Sequence, residues 1–301
     1  MSDINDETPV SGDQAVNPEG AFRFRGLGTA RDAGASGGSD FPTLQFRPNT
    51  NTPTNSAQSY PIGVWDFTCT NTLTQRQQGN LVNVDGSYVV GRDDEDWNGL
   101  ALHGATMNAD GLHVARNQHA SVTLSNGSGT LRDKTLVVWV QIHDTEETIY
   151  GSSVRLSGSA ISMESGDGAV FDGLVYREGS SEGWSVNGND NARTQPSTGY
   201  PAGWTDDQKN AVGTLVRLVA VYKQTSSSQD TVTLYQGDQH NGNQKISHHE
   251  IPSCNFDKAN LRLVFGKRSG SSTSDAFIKG TIKAALLYDR AVALDELPSW
   301  S

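Results

Sequence analysis

"KTLVVWVQIHD", residues 134–144, decides the fold. β-Branched residues crowd its centre, neither Gly nor Pro interrupts it, and its apolar period is two rather than 3.6. Leu136, Val138, Val140 and Ile142 share one face, and Val137, Trp139, Gln141 and His143 share the other. The first face is aliphatic and the second mixes aromatic with polar groups. The expected strand covers a core on its aliphatic side and turns the other face toward solvent, loops or a ligand.

On both sides of this stretch the chain repeats the pattern in shorter form. "YPIGVWDF" (60–67), "GLALHG" (99–104), "GLHVA" (111–115) and "HASVTL" (119–124) read as extended pieces between turn residues. "VRLSGSAISMES" (154–165) holds a Ser157-Gly158 turn between two strand-like runs, and "AVFDGLVYREG" (169–179) follows as another strand. "TLVRLVAVYKQ" (214–224) and "DTVTLYQGD" (230–238) flank the polar turn "TSSSQ", a hairpin signature. "NLRLVFGKR" (260–268) and "AFIKGTIKAALLYDRAV" (276–292) are the last strands, and only "AVALDEL" (291–297) reads as helical. There is no internal repeat and no heptad. Many short strands with regular turns predict an all-β chain, a two-sheet antiparallel β-sandwich closed by a short C-terminal helical turn.

Residues 1–59 differ in texture. "GLGTARDAGASGGSD" and "RPNTNTPTNSAQS" are rich in Gly, Ser, Asn, Thr and Pro and offer little that builds a core. The expectation is an extended N-terminal arm over 1–59, followed by a sandwich domain over 60–301. Phe22, Phe24, Phe41, Leu44 and Phe46 are the arm's large apolar side chains and its expected anchors on a neighbouring protein subunit or on its own domain.

Composition narrows the partners. The chain has 301 residues, with 32 Gly, only 3 Met and a formal charge of −11. Such an acidic balance repels phosphate backbones and anionic lipid, so neither nucleic acid nor a membrane surface is an expected partner. No run approaches the roughly 18 apolar residues of a spanning helix. "MSDINDETPVSGDQ" has no basic or apolar region of a secretory signal. Two cysteines, Cys69 and Cys254, cannot make a CxxC-type zinc site. They pair if the first and last strands lie together, and otherwise pack as separate small hydrophobes.

The order of elements resembles the laminin-G-like, concanavalin A-like jelly rolls. "VWDF" resembles their opening strand, "LHVARNQHASVTL" (112–124) their first long hairpin, and "LVVWVQI" (136–142) their tryptophan-bearing strand. "VRLVAVYKQTSSSQDTVTLYQGDQ" (216–239) is similar to their central hairpin, and "LRLVFGKR…FIKGTIKAALLYDRAVALDEL" (261–297) to their closing strands and short helix. "FDGLVYREGSSEGWSVNGNDNARTQ" (171–195) is similar to a variable insert of some bacterial members. The resemblance covers residues 60–300 and no part of the arm, and it implies a jelly-roll sandwich. In the closing strand it sets Ile282, Ala284 and Leu286 on one face, with Lys283, Ala285 and Leu287 on the other. Many members carry an acidic residue after the isoleucine of this "GxI" element, where this chain has Lys283, and their "FDG" is "VAR" (114–116) here. An ammonium offers a metal no lone pair, so the calcium common in the family is not expected, nor any other cofactor. "DDED" (93–96) lacks the alternating spacing and glycine of a calcium loop and reads as a solvated acidic turn.

Chemistry is sparse. Gln141-Ile142-His143 resembles the "QIH" motif of alginate lyases, also jelly rolls, and Tyr222 of "VYKQ" would be its third member. Gln141 and His143 share a face, as catalysis needs, but Tyr222 is in phase with Val216, Leu218 and Ala220, a core pattern. The lyases' arginine-bearing strand motif and Tyr-Phe-Lys-Ala-Gly strand have no counterpart here. No strand alternates two carboxylates for a glycosidase, there is no GxSxG elbow, and His248 and His249 cannot share a strand face. Binding fits better. "EGWSVNGNDNARTQPSTGYPAGW" (182–204) reads as a polar loop carrying Trp184, Asn189, Tyr200 and Trp204, which suit a sugar, a protein interface, or simply the pinning of their own loop. The reading favoured by the arm is non-enzymatic attachment: a virion surface component, such as a phage capsid decoration or fibre-base protein, with the sandwich facing outward. A glycan-binding lectin-like domain of an extracellular surface is the alternative, and a polysaccharide lyase the second.

Overall fold

The structure is a computed structural model. It describes residues 62–67, 100–108, 110–124, 129–166, 170–177, 182–188, 200–238, 242–268 and 276–297, together with the backbone of four two-residue strands and of residues 192–193. The chain divides into two units, Met1–Ser59 with Asp295–Ser301, and Tyr60–Leu294. In the first, Phe22–Arg23 pairs antiparallel with Gln45–Phe46, setting Phe22 opposite Phe46. Phe24, Phe41 and Leu44 lie outside the described residues, as do Cys69 and Asp93–Asp96.

The second unit is an antiparallel two-sheet sandwich, as its alternating runs predict. The strands of its two large sheets are β1 (Gly63–Asp66), β2 (Ala101–His103), β3 (Thr106–Asn108), β4 (Gly111–Val114), β5 (His119–Leu124), β6 (Lys134–Asp144), β7 (Gly158–Ser165) and β8 (Phe171–Tyr176). They continue with β9 (Trp184–Gly188), β10 (Ala192–Arg193), β11 (Val216–Gln224), β12 (Gln229–Gly237), β13 (Gln244–Pro252), β14 (Leu261–Phe265) and β15 (Lys279–Tyr288). Sheet one runs β13-β12-β11-β6-β15-β4-β3, with β1 pairing the far half of the β15 edge that β4 occupies. Sheet two runs β10-β9-β8-β7-β14-β5-β2. The C-terminal turn is a short 3-10 segment, Leu294–Glu296.

The core lies between the sheets and takes alternate residues from each strand: Leu136, Val138, Val140 and Ile142 from β6 face Ile161, Met163 and Leu174 from β7 and β8. The aliphatic face of β6 is therefore the inner one. Its second face departs from the expectation. Val137 and Trp139 are also buried, beside Val219 of β11 and Leu286 of β15, and only Gln141 and His143 at the strand's end reach solvent. A central strand covered on both faces reads as a near-continuous apolar run.

Two further differences are informative. The pairing of β6 with β15 slips between Trp139/Ala284 and Val140/Ile282, so Lys283 is the extra residue of a β-bulge. Beyond it the phase reverses: Ile282, Ala285 and Leu287 face the core, and Ala284 and Leu286 face outward. The uninterrupted alternation expected for this strand is corrected accordingly. A helix, α1 (Asp206–Asn210), was not expected. Thr205 caps it, with Gln208 returning the bond in a capping box, and the backbone after it joins β6 through the Ile142 N–H and carbonyl.

Inside the sandwich, the ammonium of Lys134 on β6 meets the carboxylate of Asp172 on β8 at 2.6 Å, both side chains fully buried. The Lys134 Nζ also donates to the Arg132 carbonyl at 3.2 Å and lies 4.5 Å from the ring centroid of Tyr222 and 4.9 Å from that of Phe256. An ion pair this deep is weak evidence of net stability, but breaking it strands a charge. Lys134→Met alone or Asp172→Asn alone is expected to cost about 3–5 kcal/mol, read from the urea midpoint. The Lys134→Met/Asp172→Leu double variant is expected to recover most of that loss. Single variants indistinguishable from the parent would contradict the pair's role.

Candidate functional site

The exposed end of β6 carries polar side chains that converge with those of its neighbours on the outer face of sheet one. Gln141 pairs with Thr281 of β15, and Thr281 with His113 of β4. A second slip in the β6–β15 ladder, between Ile142/Gly280 and Asp144/Lys279, makes His143 the extra residue. Bulges re-aim side chains. Here one on each strand flanks the Gln141–Thr281 pair and sets His143 and Lys283 beside it.

The contacts are specific. Thr281 Oγ1 lies 2.9 Å from His143 Nε2 and 3.2 Å from His113 Nδ1. The two imidazole centroids are 6.0 Å apart. His113 Nε2 lies 2.9 Å from Asn108 Oδ1, which also accepts the Asp110 backbone N–H at 2.7 Å. Burial lowers the pKa of His113, aided by Lys283 and opposed by Asp110. Burial likewise lowers that of His143, aided by His113, Lys279 and Lys283 and opposed by Asp144. Lys283, only 6% exposed, is held below the usual lysine range by burial, with Asp110 opposing. The face thus presents two neutral imidazoles, two side-chain amides, the Lys283 ammonium and the Lys279–Asp144 ion pair. Deeper on it, Arg217 sits over Trp139 at 5.9 Å and donates to Asn243 Oδ1 at 3.2 Å.

The trio suggested by the lyase motif is not assembled. Gln141 and His143 do share the outer face, but Tyr222 points into the core, fully buried beside Lys134. The core phase of its strand foretold this.

The aromatic loop also departs from expectation. Trp184 lies on β9, paired with Tyr176, and is fully buried in the core. It is part of the sandwich rather than a ligand platform. Tyr200 accepts the Trp184 backbone N–H at 2.8 Å and packs on the core, and Trp204 is half-buried against it at 5.7 Å. Asn189 lies outside the described residues. Glu182 fastens the start of this segment. It takes Arg177 at 2.9 Å, Arg155 at 3.1 Å and Asn210 Nδ2 at 2.9 Å. Burial pushes its carboxyl upward, yet the Arg177 and Asn210 hydrogen bonds and the Arg155 charge outweigh this and hold it below the usual range.

Sequence reasoning missed His113, Asn108 and Thr281, because their meeting depends on β4 and β15 being neighbours. It also missed a second histidine pair, on sheet two: His103 and His119 stack at 4.3 Å, with His103 Nε2 3.0 Å from Ser121 Oγ. Burial, His103, Lys267 and Arg262 together lower the pKa of His119 to about 4. Cys254 is buried.

No family model matches this chain, and no curated protein matches it. Among solved structures, it is similar to the CBM40 domain of the Ruminococcus gnavus IT-sialidase bound to α2,3-sialyllactose, at 12% identity and a TM-score of 0.40, over 62% of this chain and 92% of that one. It is similar to Trypanosoma rangeli sialidase in complex with sialic acid at 12% identity and a TM-score of 0.44, over 80% of this chain and 32% of that one. The NanB sialidase of Streptococcus pneumoniae follows at 14% identity and a TM-score of 0.40, over 60% of this chain and 26% of that one.

The His119 environment fixes the direction of an acid response. Its folded pKa lies below its unfolded value, so the unfolded chain takes up the proton first and stability falls with falling pH. The loss is expected between about pH 6.5, the free imidazole value, and about 4. His119→Gln is expected to flatten the dependence of the thermal midpoint across that window. An unchanged slope in the variant would refute the assignment.

Proposed function

We propose that the sandwich is a carbohydrate-binding module that holds a glycan on the exposed end of sheet one and does not transform it. The observation that carries this reading is the pair of bulges that gathers His143 and Lys283 around Gln141, Thr281 and His113. Side chains from β6, β15 and β4, and Asn108 at the end of β3, converge there. Amides, neutral imidazoles and a hydroxyl are the groups that exchange hydrogen bonds with sugar hydroxyls. A chain of net charge −11 disfavours a polyanion, so a neutral or sparsely charged glycan is the proposed class. A lyase needs a tyrosine on this face, and Tyr222 faces the core. Attachment through the arm is a separate proposal, for which the patch offers no argument; an outward-facing lectin on a virion or extracellular surface is compatible with both.

A glycan array of neutral and acidic oligosaccharides tests the reading. Gln141→Ala and His143→Ala are expected to lose at least about tenfold in affinity, matching the loss of one or two hydrogen bonds, while Trp204→Ala binds as the parent does. Loss in the Trp204 variant alone would move the site to the aromatic loop. Unsaturated-product absorbance on incubation with polyuronates would replace binding with cleavage.

A further inference from the structure

The hydrogen bonds around Thr281 have a direction, and that direction can be read from one fixed end. Asn108 Oδ1 accepts the Asp110 backbone N–H. A backbone amide only donates, so the side-chain amide is oriented with its oxygen at this point. The same oxygen lies 2.9 Å from His113 Nε2, which must therefore carry a proton. In the neutral ring the lone pair is then on Nδ1, and the Thr281 hydroxyl donates to it. That hydroxyl has one proton. Toward His143 Nε2, at 2.9 Å, it only accepts, so this nitrogen also carries its proton. The chain ends at His143 Nδ1, on an exposed side chain and without a partner among the described residues.

We infer that the Asn108–His113–Thr281–His143 chain locks His143 as its Nε2–H tautomer and presents Nδ1 to the ligand as an obligate acceptor. The inference rests on the carbohydrate-binding reading only for the ligand's identity: the ligand must place a hydroxyl donor at His143 Nδ1. A ligand offering only acceptors there, such as a carboxylate or an ether oxygen, meets a lone pair and is rejected.

The same chain sets the order of protonation. Both His113 nitrogens are engaged, and protonating its Nδ1 displaces the Thr281 hydroxyl. Protonating His143 at Nδ1 breaks nothing. Acid therefore converts the acceptor into a donor at His143 first. The charged and titratable groups facing this ring are Asp144 on its own strand, Lys279 and Lys283 on β15 and His113 on β4, with Asp110 acting on His113 and Lys283 behind them. Of these, Asp144 is already paired with Lys279 at 2.5 Å. As pH drops through the His143 transition, below the ordinary imidazole value, the site exchanges an acceptor for a donor: acceptor-only ligands gain entry, while a hydroxyl must reverse its bond.

Long-range proton–nitrogen correlation spectra of the full chain at about pH 8, above the free imidazole value, test this without any ligand. His143 and His113 are both expected as Nε2–H tautomers, with His143 Nδ1 protonating before His113 on acidification. Thr281→Val, and independently Asn108→Ala on the exposed turn, are expected to release His143 into a mixture of tautomers. An Nδ1–H His143, or His113 titrating first, would overturn the inference. Glycerol and methyl α-glucoside at high concentration, with the acceptor-only ether dioxane as control, probe the acceptor: a shift at His143 Nδ1 with the hydroxyl compounds and not with dioxane supports the hydroxyl rule, and equal shifts, or none, with the tautomer in place overturn that rule. A blank glycan array would sink the binding reading while leaving the tautomer result standing, so the two failures are distinguishable.

Discussion

The register of β6 is the constraint on which the rest depends. Lys134 at one end points inward to Asp172, and Gln141 and His143 at the other point outward. Period-two geometry couples the ends: a slip of one residue drives the ammonium out of the sandwich and carries Val137 and Trp139 into the place of Leu136 and Val138. A buried ion pair is an expensive way to add stability, but it has few alternative partners. A slip of β6 in this core would part the pair and leave Asp172 buried without its ammonium. The outward patch inherits its position from that register.

Local departures from regularity build the patch itself. Two bulges in the β6–β15 ladder, at Lys283 and His143, lie on opposite strands and bracket three regular pairs with Gln141–Thr281 at their centre. Close backbone approach makes them possible. A Cβ at Gly280 would collide with the Gln141 carbonyl, and Gly111, with φ near 130°, lets β4 close on the Ile282 carbonyl to 2.6 Å from where a Cβ would sit. These glycines bring three strands close enough for one threonine hydroxyl to span two imidazoles.

Electrostatics separates the patch from the rest of the surface. The chain is acidic, yet at this end of sheet one Lys279 is paired with Asp144, Lys283 faces Asp110, and burial keeps the two imidazoles neutral. The Glu182 carboxylate ties Arg177, Arg155 and Asn210 together where β9 enters the sheet. Tyr200 and Trp204 belong to that fastening. Tyr200 accepts the Trp184 backbone N–H and packs on the core, and Trp204 packs against Tyr200.

The sequence by itself determined the class and the faces. The runs of β6, β11 and β12 were legible because alternation is local: each residue's side follows from its neighbours two positions away. That same alternation put Gln141 and His143 outward and Tyr222 inward. Strand β13 and helix α1 went unread: the helix has only five residues, too few to show a helical period. Tertiary structure alone decided that Trp184 lies in the core, that the phase of β15 reverses at Lys283, and that His113 meets His143 through Thr281. Those outcomes depend on which strands become neighbours and where their ladders slip. Pairing between residues 138 and 168 positions apart is set by the closing of the whole sandwich, and no window of a few residues carries it.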